Sequence, residues 1–92
     1  LKMFRIIKRM AEVWAKQGFI EQAIELYQHL LELDELSEDT YYSCISLLIF
    51  DGRDAEALAT YRRAEQILES ELGISPSSRM KLLTDGIKAR NR

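Results

Sequence analysis

Proline is nearly absent from this chain. Pro76 is the only one, so long stretches are free to be helical. Cysteine is as scarce: Cys44, standing alone, excludes an internal disulfide and suits a reducing cytoplasm. No apolar run approaches the ~20 residues that span a bilayer, and no secretory signal pattern opens the sequence. Neither "DGRD" (51–54) nor "ELGIS" (71–75) has the glycine spacing or the lysine of a phosphate-binding loop. Lysine and arginine are missing from residues 18–40, which carry seven acids. An acidic middle repels phosphate backbones, so these residues alone make a poor nucleic-acid binder.

The compensating charge sits at the ends. Lys2, Arg5, Lys8, Arg9 and Lys16 oppose only Glu12, and Arg79, Lys81, Lys88, Arg90 and Arg92 oppose only Asp85. Such runs are most often solvated faces. An apolar fraction of 47% beside 30% charge describes a soluble folded domain, and 92 residues suit one domain with a modest core. The chain opens on Leu1 and runs straight into helical sequence, which points to a fragment of a longer protein.

What the sequence has in abundance is repetition. "AKQGFIEQAIELYQHLLELD" (15–34) aligns with "IFDGRDAEALATYRRAEQIL" (49–68) at one constant offset. The alignment pairs Gly18 with Gly52, Ala23 with Ala57, Tyr27 with Tyr61, and Leu33 with Ile67. That offset, about 34 residues, is the period of the tetratricopeptide repeat, a pair of antiparallel helices. Each glycine falls where a first helix must end, a position that favours left-handed dihedrals. The alanines let paired helices approach closely, and the tyrosines, one turn on, can fill the space between units.

The 3.6-residue period sets the layout. A first helix is predicted over about 2–17, with Phe4, Ile7, Met10 or Ala11, and Trp14 inward. A second follows over about 20–33, with Ile20, Ala23, Tyr27 and Leu30 or Leu31 inward. Ser37 is the expected N-cap of a third helix, about 38–50, with Glu38 and Asp39 favouring its positive end. Leu36 is placed to staple onto Tyr41. Tyr41, Cys44 or Ile45, and Leu48 point inward. Asp54 is expected to cap a fourth helix, about 55–71. A last helix, about 76–90, is expected to start with Ser75 as N-cap and Pro76 at its first position. Its stripe of Met80, Leu83 and Ile87 can cover the open end of the second hairpin. Gly86 also lies one full period after Gly52, but Pro76 argues against a third unit, so that register reads as coincidence. The fold class expected is all-α: a tetratricopeptide-like right-handed superhelix of two antiparallel hairpins (about 2–33 and 38–71) with a capping helix.

The segment "KQGFIEQAIELYQHLLELD" (16–34) is similar to the turn and second helix of tetratricopeptide repeats. Glu35 stands where proline commonly follows. "YRRAEQILESELGISPS" (61–77), followed by Arg79, Leu82 or Leu83, and Ile87, resembles the end of the bacterial transcriptional activation domain, a tetratricopeptide-like module. "LLELDELSEDTYYSCISLLIFDGRDAEALATYRRAEQ" (30–66) fits the same pattern, although Glu35 replaces the usual proline. The resemblance is to the C-terminal part of that domain, starting after the family's first helices. It covers about 1–88 and is most specific over 54–80, where Leu72, Gly73 and Ile74 close the corner. It implies a protein-interaction part of a bacterial transcription regulator, residing in the cytoplasm. Such domains accompany a winged-helix DNA-binding domain, and some sit in larger regulators with a nucleotide-binding module. The partners implied are the regulator's own DNA-binding domain, a second protomer in a homodimer, or the transcription machinery. DNA is then reached only through another domain, and no membrane is involved.

No residue pattern points to catalysis, a metal or a cofactor. His29 has Glu25 and Glu32 nearby, but a solvated helix face explains them, and Cys44 lacks a histidine partner. Glu65 and Glu69 form an ordinary surface pair. The expectation is a protein that is not an enzyme. Binding is better supported, because the first helices of stacked hairpins line a concave surface. On helix 1 the candidate partner-binding residues are Arg5, Lys8 and Glu12, with Lys16 a turn further on. On helix 3 they are Tyr42, Ser46, Ile49 and Phe50. Helix 3 is apolar nearly all round, so it needs a second burial surface: the last helix, further helices of the family domain, or another domain or protomer. Two rivals remain. One is a stand-alone scaffold or cochaperone gripping an extended acidic peptide through Arg5 and Lys8, though the asparagines typical of such grooves are missing. The other is direct DNA binding by Arg79, Lys81, Lys88, Arg90 and Arg92.

Overall fold

A computed structural model describes residues 2–91. Among them are five helices and no strands: α1 (Lys2–Lys16), α2 (Ile20–Leu33), α3 (Glu38–Phe50), α4 (Asp54–Leu72) and α5 (Ser78–Arg90). Consecutive helices pack together, and α5 folds back onto both α3 and α4. Leu1 and Arg92 lie outside the described residues.

The repeat register recurs in the backbone hydrogen bonds. Gly18 and Gly52 both adopt positive φ, +90° and +77°. After each, the next N–H reaches back into the finished helix: Phe19 donates to the Trp14 carbonyl at 2.9 Å, and Arg53 to that of Leu48 at 2.8 Å. The returning helices then open alike, with Ala23 N–H donating to the Phe19 carbonyl at 2.9 Å and Ala57 N–H to that of Arg53 at 3.0 Å. Each reversal is therefore tight. Gly73, at φ +65°, ends α4 with its N–H on the Glu69 carbonyl at 2.9 Å.

Ala23 and Ala57 are fully buried, and so are Tyr27 and Tyr61 apart from a sliver of surface. The core continues through Leu30, Leu31, Tyr41, Ile45, Leu48, Ala64, Met80 and Ile87. Phe4, Ile7 and Leu83 pack against it from the edges. Of the two alternatives for helix 1, Ala11 is the inward residue and Met10 is exposed. Steps of three and four residues from Ile7 to Ala11 to Trp14 keep one stripe, and Met10, about 100° round the helix from Ala11, falls at its outer edge.

The cap of α3 follows expectation. Ser37 Oγ accepts the Thr40 N–H at 3.4 Å and meets Thr40 Oγ1 at 2.8 Å. Two other caps differ. Arg53, not Asp54, is the N-cap of α4, because the Gly52 turn is used up one residue earlier. Asp54 instead opens the helix and accepts a hydrogen bond from Arg90 Nη2 at 2.9 Å. Ser77, not Ser75, is the N-cap of α5, and Pro76 is buried in the extended link before it. The local proline signal yields to a tertiary one. Staying extended to Ser77 seats the proline ring and lets the Ser77 N–H donate to Glu38 Oε2 at 3.3 Å. Gly86 lies inside α5 without a positive φ, so its register is indeed coincidental.

Substitution of the glycines should separate these roles. Gly52→Ala should lower unfolding free energy by about 1–2 kcal/mol, since an added Cβ is penalised at left-handed dihedrals. Gly86→Ala should raise it by about 0.5–1 kcal/mol, because helical dihedrals favour alanine, and open space surrounds its missing Cβ. Urea titration of both variants checks the opposite signs.

Candidate protein-interaction surface

On α1 and α3 the candidate residues occupy equivalent places, since Lys8 and Tyr42, and likewise Glu12 and Ser46, stand one repeat apart. The structure brings some of them together. Glu12, Tyr42 and Ser46 line one shallow cleft of about 270 Å³, with Lys16, Tyr27 and Leu47 completing its walls. Ser46 Oγ is buried there without a hydrogen-bond partner among the described residues. Arg5 is exposed and Lys8 half-buried, and neither lines this cleft. Ile49 is half-buried and packs against the core, whereas Phe50 is 76% exposed.

The sequence leaves open what covers α3. Part of the cover is α5. The Arg79 guanidinium lies 4.0 Å from the Tyr42 ring centroid, and its Nη2 donates to Asp39 Oδ1 at 2.7 Å. One arginine thus stacks on an aromatic face and pairs with a carboxylate one turn away. With Arg90 on Asp54 and the Ser77 N–H on Glu38, α5 is pinned at both ends. Nothing in the local sequence of α5 signals these pairs, because they join residues 36 to 40 positions apart. Lys81 and Lys88 line a cleft of about 330 Å³ between α4 and α5, beside Glu65 and Asp85. Arg79 and Arg90 of the last helix are thus paired within the fold, and Arg92 lies outside the described residues.

His29 is exposed on α2, its Nδ1 3.7 Å from Glu32 Oε2. Among the described residues, no three His, Cys, Asp or Glu side chains are gathered to hold a metal ion, and no helix is long and apolar enough to cross a membrane. Arg53 grips Glu56 with two hydrogen bonds, at 3.0 and 2.6 Å, which holds the Glu56 carboxyl below its ordinary value. Cys44 is fully buried, and burial pushes its thiol up to about 11. Burial likewise raises the phenols of Tyr27, Tyr41 and Tyr61, with Ser43 opposing the rise at Tyr27.

Five helices arranged as two hairpins and a lid define an all-α helical-repeat domain. The family model for the bacterial transcriptional activator domain matches residues 2–88, and the chain belongs to that family. No curated protein and no solved structure matches it.

The buried thiol and phenols give a pH dependence with a definite sign. Their folded-state values are raised, so the stability they contribute is complete below the unfolded values, 9.0 for the thiol and 10.0 for the phenols. It is lost as pH rises through the folded values, about 11 for Cys44. Urea midpoints should therefore fall steadily above pH 9. At neutral pH the native thiol should resist iodoacetamide and react only on unfolding.

Proposed function

We propose that this domain is a protein–protein contact module of a bacterial transcription regulator, with DNA read by another domain. The contact serves dimerisation, packing against the DNA-binding domain, or engagement of the transcription machinery. Family membership supplies the transcriptional setting. The observation that carries the contact role is Phe50, which extends from the end of α3 at 76% exposure. An exposed aromatic at the margin of a packed helix is the kind of residue that anchors an interface. Beside it the Glu12–Tyr42–Ser46 cleft offers a shallow, mixed surface suited to another protein more than to a small molecule.

The reading is of a binding module and not an enzyme, acting in the cytoplasm without a cofactor. A scaffold gripping an extended acidic peptide fits less well, because Glu12 places a carboxylate one turn from Lys8 on the same face. Direct DNA binding fits less well too, since Arg79 and Arg90 are engaged by Asp39 and Asp54.

Phe50→Ala tests the reading cleanly, because its side chain is mostly outside the core. Adding Tyr42→Ala removes the other candidate aromatic of α3, the ring that lies under Arg79. Either change should leave the far-ultraviolet helical signal intact. The pair should weaken association at least about fivefold, the scale of a lost aromatic anchor. Sedimentation of the domain and reporter transcription from the full-length regulator are the readouts. Self-association and transcriptional output both unchanged would contradict it.

A further inference from the structure

Where α2 hands over to α3, the turn runs beside the last part of α4 and leaves a cleft of about 310 Å³ between them. Its walls carry four exposed carboxylates, Glu32, Asp34, Glu35 and Glu71. The same walls hold Leu33 and Leu36, 63% and 41% exposed, and the half-buried Ile67. Like charges gathered on one edge repel one another, and apolar side chains beside them stay wet. Neither stabilises the fold.

Little within the chain neutralises this edge. Residues 18–40 contain no lysine or arginine. Glu32 lies 3.7 Å from His29, and one Asp34 oxygen accepts the Leu36 N–H at 3.0 Å. Glu35 and Glu71 enter no ion pair among the described residues. Behind the Asp34–Glu35 wall lies a second unmet group. Tyr41 is 0% exposed, and its hydroxyl has no hydrogen-bond partner among the described residues. Burial raises this phenol, Arg63 opposes the rise, and Glu35 and Asp34 add to it, which sets the hydroxyl beside those two residues. A buried hydroxyl left unbonded costs stability until a partner reaches it.

These features select the occupant. Among the described residues no three acids converge to hold a metal ion, so the cleft suits positive charges spaced along a ligand. Nucleic acid is repelled by the same carboxylates. The exposed leucines call for apolar side chains, which a bare polyamine lacks. A protein segment with lysine or arginine on either side of an apolar residue matches both the charge and the leucines. Its ammonium or guanidinium group is also a donor that a tyrosine hydroxyl accepts.

We infer that the cleft between the α2–α3 turn and the end of α4 docks a basic amphipathic segment of a partner protein. A lysine or arginine enters beside Tyr41, and an apolar side chain sits on Leu33 and Leu36. This rests on the proposed protein-contact role but uses a different surface from Phe50, so the two readings fail separately.

The probe is a synthetic amphipathic helix of leucine, alanine and lysine, titrated at low salt into the isotope-labelled chain. Backbone amide resonances of residues 33–36, 67 and 71 should shift. Glu35→Gln with Glu71→Gln, both at exposed sites, should weaken binding at least about fivefold. Leu33→Ser should weaken it about threefold. Tyr41→Phe separates docking from packing: the free chain, rid of its unbonded hydroxyl, should unfold at higher urea yet bind about threefold more weakly. Phe50→Ala should bind the peptide normally. The inference is overturned if those resonances stay in place, or if the glutamine, serine or Tyr41→Phe variants bind as tightly as the parent. It is equally overturned if a peptide with glutamine in place of lysine binds as well. Spermidine binding as tightly as the peptide would also overturn it, since a cation alone would then fill the site.

Discussion

Burial of α3 on three sides is the constraint on which this structure depends. The helix is packed by α2, α4 and α5, and Thr40, Tyr41, Cys44, Ile45 and Leu48 are all sealed from solvent. A domain of this size has a net stability on the order of 5–10 kcal/mol. Leaving one of those α3 faces open would forfeit a large part of it, because each buried aliphatic or aromatic side chain contributes about 1.5–3 kcal/mol. The turns matter because they deliver α3 to its neighbours. The tight reversals at Gly18 and Gly52 leave no slack, so the register of each hairpin is set by its glycine.

That constraint explains why the two ends of the domain differ. Hairpin α3–α4 has its open side closed by α5, held by Arg79, Arg90 and the Ser77 N–H as well as by Met80 and Ile87. The outer face of the first hairpin, on α1, remains exposed. A repeat architecture buries its surfaces only by stacking.

Most of the architecture could be read in the sequence because it arises from local periodicity and a repeated glycine. The bounds of α2 and α3 coincide with the expected ones, and the paired alanines and tyrosines are buried as the repeat register requires. The family resemblance of residues 61–77 pointed to the match over 2–88. What could not be read was long-range. The start of α5 is set by a Glu38 carboxylate 39 positions away, which outweighs the Ser75–Pro76 start signal. Asp54 acts as the partner of Arg90 and not as a cap. Tyr42 carries no local sign that an arginine from the last helix will lie on its ring. Candidate residues on α1 and α3 could be assigned to a face by spacing, but which of them share a cleft depended on the angle between the helices.

Native-state hydrogen exchange resolved by residue tests the central claim most directly. If α3 is the shared core, the amides from Tyr41 to Leu48 exchange only through global unfolding, matching the free energy from urea titration. The outer turns of α1 and α5 then open at lower free energy. Amides of α3 that exchange as readily as those of α1, or through a separate low-energy opening, would contradict the account.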